Sequence, residues 1–133
     1  MSGTDAYASA QDTAVDDTAL AVMADQYGDR VRKLPPVALV IAAYNEEGAV
    51  GPVVQHLPAE VCGLQTATIV VADGCADATA KEADAAGALV ADVSVNRGQG
   101  AALRLGYRIA REGGAEYIVT TDADGQYNPA EIE

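Results

Sequence analysis

The sequence is poor in aromatic residues: it contains neither Trp nor Phe, and aromatic residues make up only 5% of the chain. Half of the residues are hydrophobic, so a core must be built mainly from Ala, Val, Leu and Ile. Such a core suits helices packed closely on a parallel sheet better than an aromatic-rich all-β fold. A length of 133 residues is enough for one ordinary domain.

Positive charge is also scarce. The chain has 8 Lys and Arg residues against 20 Asp and Glu residues, which gives a formal net charge of -12. A charge of this sign repels a phosphate backbone, so we expect no nucleic-acid partner.

The sequence also has few cysteines and no recognisable export signal. Cys62 and Cys75 are the only cysteines, and two cysteines without a secretory signal do not make a disulfide framework. The acidic N-terminus lacks the basic and apolar parts of a signal peptide, and no apolar run approaches the roughly 20 residues that cross a bilayer. We therefore expect a soluble chain in a reduced, cytoplasmic setting.

The first 34 residues differ in composition from the rest. They are rich in Ala, Asp and Thr and show no sustained hydrophobic period. This composition predicts a mobile acidic tail with one short helix near residues 18–27. We expect the folded domain to span residues 35–133.

Within that domain, four apolar runs of strand length alternate with three helical segments. The strand-like runs cover residues 37–44, 66–73, 88–95 and 115–122, and the helical segments cover residues 45–57, 76–87 and 98–114. Strict alternation predicts right-handed βαβ crossovers and a Rossmann-like parallel sheet with helices on both faces. In such α/β sheets the ligand lies beyond the carboxyl ends of the strands, near a switch in strand order.

The fourth run ends in the sequence DADGQ. Asp122 and Asp124 are two residues apart, so both carboxylates point to the same side if the chain stays extended, and Gln126 adds a third oxygen there. Few oxygen ligands of this kind can hold Mg²⁺ or Mn²⁺ and leave positions open for substrate phosphates. Asp and Gly also favour turns, so a simple turn after a strand is the alternative.

Two other sites use similar residues. Residues 122–133 place oxygen-bearing side chains as a calcium loop does, but Tyr127 stands where that loop needs Gly and a strand precedes it instead of a helix. A haloacid-dehalogenase-type phosphatase also has Asp-x-Asp after a strand, but it needs Thr or Val where Gln126 stands.

The remaining strand ends supply candidates for binding a nucleotide. Tyr44 offers an aromatic ring for a base, while Glu46 and Asp73 offer carboxylates for ribose hydroxyls or base N–H groups. Arg97 could bind a phosphate beside a glycine-containing helix start. The structural alternative for the loop after the first strand is an N-cap at Asn45 followed by Glu46 and Glu47 in the acidic first turn of a helix.

The order of four motifs gives a more specific result. The stretches AAYNEE, VADGCADAT, NRGQGAALRLG and TDADGQYNP follow one another along residues 37–133. In this order they resemble the motifs of the family 2 inverting glycosyltransferases of the GT-A fold, especially the dolichyl- or polyprenyl-phosphate mannosyl- and glucosyltransferases. The resemblance implies a donor-binding half that takes a nucleotide-diphosphate sugar with Mg²⁺ or Mn²⁺, and transfer with inversion to a lipid phosphate or another hydroxyl.

The resemblance also implies roles for single residues. Tyr44, Glu46, Val71 and Asp73 would hold the nucleoside, Asp122 would lie by the ribose and phosphate, and Ala42 and Ala123 would belong to the same donor site. Asp122, Asp124 and Gln126 would hold the divalent cation.

The sequence departs from the family pattern at three places in the motifs. Ala42 replaces a usual Pro, Ala72 an Asp and Cys75 a Ser. No residue is predicted as general base, and the sequence ends where the family's acceptor-binding half would begin. We therefore expect a fragment with little transfer activity alone, with a longer form at the inner face of the membrane. The alternative is a non-catalytic nucleotide- or metal-binding module or a gene remnant.

Overall fold

The computed structural model of the protein describes residues 10–123, which form helices and a mostly parallel sheet. The helices are α1 (Ala10–Tyr27), α2 (Asp29–Arg32), α3 (Val50–His56), α4 (Thr79–Ala85) and α5 (Gln99–Glu112). The strands are β1 (Val37–Ala43), β2 (Glu60–Val61), β3 (Leu64–Asp73), β4 (Leu89–Val93) and β5 (Tyr117–Asp122). The four predicted strands correspond to β1, β3, β4 and β5, and the two-residue β2 was not predicted.

The sheet has the spatial order β4-β3-β1-β5, and these four strands are parallel. The short β2 pairs antiparallel with the start of β3. In chain order, β3 is added beside β1 and β4 beside β3, whereas β5 is added on the opposite side of β1. This reversal makes the carboxyl ends of β1 and β5 the switch point at which such sheets bind ligands.

Both faces of the sheet are covered, as the sequence predicts. Val40, Ile69 and Val71 pack in a core beneath α1 and α5, while Ile41 and Val70 pack in a second core with α3 and α4. Alternate residues of each strand thus meet different helices, which is why the central strands are continuous apolar runs. The predicted Rossmann-like sheet, consistent with a GT-A nucleotide-binding half, is confirmed.

The N-terminal region differs from the expected tail. Residues 10–27 form one helix, and Ala19, Met23 and Tyr27 on one side of it are buried in the same core as the sheet. The Tyr27 hydroxyl donates to Asp84 Oδ1 at 2.7 Å and accepts the Val90 N–H at 3.1 Å. The sequence signal is faint because only three residues, one of them an Ala, form the buried stripe. The part of the tail before residue 10 lies outside the described residues.

Among the helices of residues 10–123, none combines the length and the apolar character needed to cross a bilayer.

Candidate functional site

A cleft of about 500 Å³ lies beyond the carboxyl ends of β1, β3 and β5. It occupies the switch point of the sheet, where the topology predicts a ligand. Its lining combines six residues that the sequence predicted with others from the start of α5 and the strand ends. The predicted ones are Ala42, Tyr44, Glu46, Asp73, Asp122 and Ala123.

Strand register brings the first and last motifs of the sequence together. Ala42 on β1 lies opposite Asp122 on β5 and opposite Val71 on β3. Tyr44, two residues beyond Ala42, keeps 53% of its surface exposed at the cleft. An exposed aromatic ring at the mouth of a cleft offers a flat apolar face to a planar ligand.

Asp73 is buried, with 3% of its surface exposed, because its carboxylate organises the loop between β4 and α5. One oxygen accepts the Arg97 N–H at 3.1 Å and the other accepts the Gly98 N–H at 2.9 Å. These bonds offset the cost of taking a carboxylate out of water. Asp73 therefore has two roles: it lines the cleft, and it fixes the β4–α5 loop that forms one wall of the cleft.

Asn96 and Gln99 line the cleft too, and sequence reasoning missed both. The Asn96 side-chain amide donates to the Asp73 carbonyl oxygen at 3.0 Å. Both stand in the stretch NRGQG, in which the arginine and the glycines give the more familiar signal for an anion site. Gly74 permits this arrangement, since its φ is +69° and an added Cβ would overlap the Asn96 backbone nitrogen.

The loop after β1 is fastened to the loop after β3 by two side chains that the sequence assigned to a helix start, Asn45 as its cap and Glu47 in its first turn. Asn45 Oδ1 accepts the Ala76 N–H at 2.7 Å, and Glu47 Oε1 accepts the Ala78 N–H at 2.9 Å. Neither residue caps the helix that follows it, because α3 begins only at Val50. The two acceptors instead hold the two loops of the cleft in fixed relation.

Glu46 is positioned through the same pair of loops. Its backbone N–H donates to Thr79 Oγ1 at 2.8 Å, and Thr79 is fully buried. The Asp77 carboxylate accepts both the hydroxyl and the N–H of Thr79. These hydrogen bonds, the hydroxyl's first, lower the pKa of Asp77 below its ordinary value.

The start of α3 is capped from another helix. Glu82 of α4 accepts the Gly48 N–H at 2.7 Å with one carboxylate oxygen and the Gly51 N–H at 2.6 Å with the other. A helix leaves its first N–H groups without partners of its own, so an acidic side chain at that end stabilises it. No local pattern predicts this cap, because Glu82 lies 34 residues after Gly48.

Arg97 does not contribute its guanidinium to the cleft. The group lies against α1, where Nη1 is 3.2 Å from Asp12 Oδ1 and Nη2 is 2.7 Å from Asp16 Oδ1. Burial alone would lower the pKa of Arg97, but the Asp16 and Asp12 carboxylates outweigh it and raise the pKa above its ordinary value. The predicted phosphate ligand is thus held by two carboxylates in this structure.

Val71 also stays out of the cleft, since its side chain is fully buried in the core beneath α5. Of the predicted metal ligands, Asp122 lines the cleft, while Asp124 and Gln126 lie outside the described residues. Within residues 10–123 no group of three or more His, Cys, Asp and Glu side chains could hold a metal ion. The metal site therefore stays a prediction.

The described wall of the cleft is acidic. Glu46, Asp73 and Asp122 contribute three carboxylates, and among the described residues no Lys or Arg lines the cleft. Hard oxygen donors of this kind suit Mg²⁺ or Mn²⁺. A diphosphate, itself anionic, would be repelled from this wall unless a bound cation stood between them.

Comparison with known proteins bears on the same region. The sequence model of glycosyl transferase family 2 matches residues 38–133, which include every cleft-lining residue named above. An uncharacterized protein of Methanocaldococcus jannaschii is 36% identical over 97 residues, which are 73% of this chain and 39% of that relative. The chain thus spans about two fifths of the length of the curated relative it matches. Helices α1 and α2 precede the matched region.

Proposed function

This chain belongs to glycosyl transferase family 2, and from that premise we propose that its cleft binds a nucleotide-diphosphate sugar for inverting transfer of the sugar. The acceptor in this proposal is a lipid phosphate of the polyprenyl type or another hydroxyl-bearing molecule. The lipid-phosphate part rests on the order of the four sequence motifs.

One observation carries the proposal: Tyr44, Glu46, Asp73 and Asp122 converge on a single cleft at the switch point of the sheet. They come from three strand ends separated by up to 78 positions in the chain (122 minus 44). In the proposed complex, the Tyr44 ring lies on the nucleobase, and Glu46 and Asp73 accept hydrogen bonds from the nucleoside. Asp122 lies by the ribose and the diphosphate.

Because the wall of the cleft is acidic, binding of an anionic diphosphate in this proposal requires a metal ion. Asp122, together with the predicted ligands Asp124 and Gln126, would hold Mg²⁺ or Mn²⁺ against the diphosphate. A bound divalent cation supplies neutralisation of the charge that develops on the leaving diphosphate. The chain's own residues bind and orient the donor, and the loops fastened by Asn45, Glu47 and Asp73 keep them in place.

Calorimetry with UDP- and GDP-sugars, with and without Mn²⁺, tests the proposal. Wild type should bind one of them in the presence of Mn²⁺, and Asp122→Asn and Asp124→Ala should each lose most of the metal-dependent affinity. Asp92→Asn is the matched control, since Asp92 is an exposed carboxylate on β4 that does not line the cleft.

Two results would count against the proposal. If the affinity for the sugar nucleotide is the same with and without Mn²⁺ and is unchanged by Asp124→Ala, the proposed metal-dependent donor site is refuted. Binding without any transfer to polyprenyl phosphate or simple hydroxyl acceptors, in a longer form of the protein, would favour a non-catalytic nucleotide-binding module.

A further inference from the structure

Helix α1 lies outside the part of the chain that matches the family, yet its contacts reach the wall of the cleft. Asp12 and Asp16 of this helix hold the Arg97 guanidinium through N···O distances of 3.2 and 2.7 Å. Arg97 stands between Asn96 and Gly98, both of which line the cleft. A segment preceding the matched domain is thus connected to the site by one side chain.

Arg97 is fixed from two directions. Its side chain is bound by α1, while its backbone N–H and that of Gly98 donate to the two oxygens of Asp73. We infer that Arg97 is a positioning residue of the cleft: the Asp12–Arg97–Asp16 cluster clamps the β4–α5 loop, whose N–H groups orient the Asp73 carboxylate. The inference rests on the proposed function, since Asp73 is the residue that would meet the nucleoside.

The burial of the cluster makes this more than a surface ion pair. Only 9% of the Arg97 side chain and 18% of the Asp16 side chain are exposed. Arg97 Nε is buried and has no hydrogen-bond partner in the described part of the chain. A cation in that position depends on its two carboxylates, and removing one of them releases the group or shifts its loop.

Helix α1 itself is anchored well enough to act as a clamp. Its far end is pinned by the Tyr27 hydroxyl, which bonds to Asp84 and to the Val90 N–H. Between the two ends, Ala19 and Met23 are buried against the sheet core. Because α1 is anchored in this way, the positions of Asp12 and Asp16 relative to Arg97 are fixed.

Another ion pair made by α1, this time with helix α5, provides a control. Asp17 of α1 lies 2.8 Å from Arg108 of α5, with 58% and 30% of the side chains exposed. Arg108 also pairs with Glu112 on its own helix, and none of the three lines the cleft. Asp17→Asn therefore removes an α1–α5 ion pair without touching the loop that holds Asp73.

The first experiment measures nucleotide affinity well below the unfolding temperature, with GDP and UDP as probes and Mn²⁺ present. We expect Asp16→Asn and Arg97→Gln each to weaken binding about tenfold, the size typical for residues that orient a ligand-contacting group. Asp17→Asn should leave affinity unchanged. Equal affinities in Asp16→Asn and Asp17→Asn would overturn the inference.

A double variant separates positioning from general support of the fold. If Arg97 acts through Asp73, Asp16→Asn should cost little further affinity once Asp73→Asn is present. Additive losses would mean that the cluster acts elsewhere and would overturn the inference. Should Arg97→Gln fail to fold, the triple change D12N/R97M/D16N removes all three charges together and leaves no unpaired buried ion.

Amide hydrogen exchange tests the clamp without a ligand. The N–H groups of Arg97 and Gly98 should lose protection in Asp16→Asn and keep it in Asp17→Asn. Unchanged protection of both amides would overturn the inference even if nucleotide binds. If wild type binds neither nucleotide, the proposed function fails, and the exchange rates still decide whether Arg97 fixes the loop.

Discussion

Glu82 of α4 accepts the N–H of Gly51 on α3 at 2.6 Å, although the two residues are 31 positions apart. Its second carboxylate oxygen accepts the Gly48 N–H at 2.7 Å. One side chain thus stabilises the start of a seven-residue helix that has no capping side chain of its own. Helix α3 follows directly on the loop that carries Glu46, whose carbonyl accepts the Val50 N–H at 2.9 Å, so this cap also supports that loop.

The first prediction follows from this cap. Glu82→Ala should lower the free energy of unfolding by about 2 kcal/mol, because two N–H groups at the start of α3 lose a charged acceptor. Glu82→Gln keeps one acceptor oxygen and should cost about half as much. Urea denaturation measures both. Lys81→Ala, at the exposed neighbouring position of α4, should stay within about 0.5 kcal/mol of wild type, and an equal loss there would contradict the role of Glu82.

A second prediction concerns the close approach of α5 to the sheet. A Cβ at Gly106 would overlap Val40 Cγ1 of β1, whereas nothing lies within 4 Å of a Cβ at Gly100 in the same helix. Gly106→Ala should therefore destabilise the fold by roughly 1–3 kcal/mol, the usual cost of overpacking. Gly100→Ala should be neutral or stabilising by up to about 1 kcal/mol, since Ala loses less backbone entropy in a helix. Thermal denaturation of the pair checks both signs, and equal stabilities would refute the packing argument.

Much of the fold could be predicted from the sequence because its signals are local. Strand β1 is buried on both faces, so all seven residues of Val37–Ala43 are apolar and the run is easily recognised as a strand. Parallel strands also place their carboxyl ends at one edge. The four motifs that follow the strands were therefore expected to meet, and the residues that line the cleft come from all four.

The parts that could not be predicted depend on partners far away in sequence. Asp16 and Arg97 are 81 positions apart, and Asn45 finds its partner 31 positions along the chain. Residue type alone gives Arg97 a phosphate and Asn45 a helix cap, because those are the usual local uses of such residues. In the folded protein Arg97 instead pairs with helix α1, and Asn45 bonds to the loop after β3.

A third prediction tests the proposed role of Tyr44. If its exposed ring lies on the nucleobase, Tyr44→Ala should weaken binding of GDP or UDP by roughly 1–3 kcal/mol, the range measured for base–aromatic stacking. Tyr44→Phe keeps the ring and should bind nearly as wild type does. Tyr107→Ala removes a partly exposed tyrosine outside the cleft and serves as control. Calorimetry gives the three affinities, and equal losses in Tyr44→Ala and Tyr107→Ala would argue against stacking.

The last prediction concerns pH and helix α1. Burial, followed by the neighbouring Asp84 carboxylate, raises the pKa of Tyr27 from 10.0 to about 12. Because the folded pKa exceeds the unfolded one, the protonated hydroxyl stabilises the fold fully below pH 10 and loses that contribution as the pH rises through about 12. Tyr27→Phe leaves the Val90 N–H and Asp84 without this partner, and should cost about 1–3 kcal/mol at neutral pH.

Ultraviolet titration of the tyrosines checks the same group directly. The phenolate absorbance step at the highest pH should disappear in Tyr27→Phe, and the stability difference between wild type and this variant should shrink as the pH rises from 10 to 12. Tyr44→Phe, which removes an exposed hydroxyl, should keep that step. If the highest step survives in Tyr27→Phe, the proton that Tyr27 donates to Asp84 of α4 is not the one with the raised pKa. The anchor assigned to this end of α1, on which the placement of Asp12 and Asp16 depends, then loses its support.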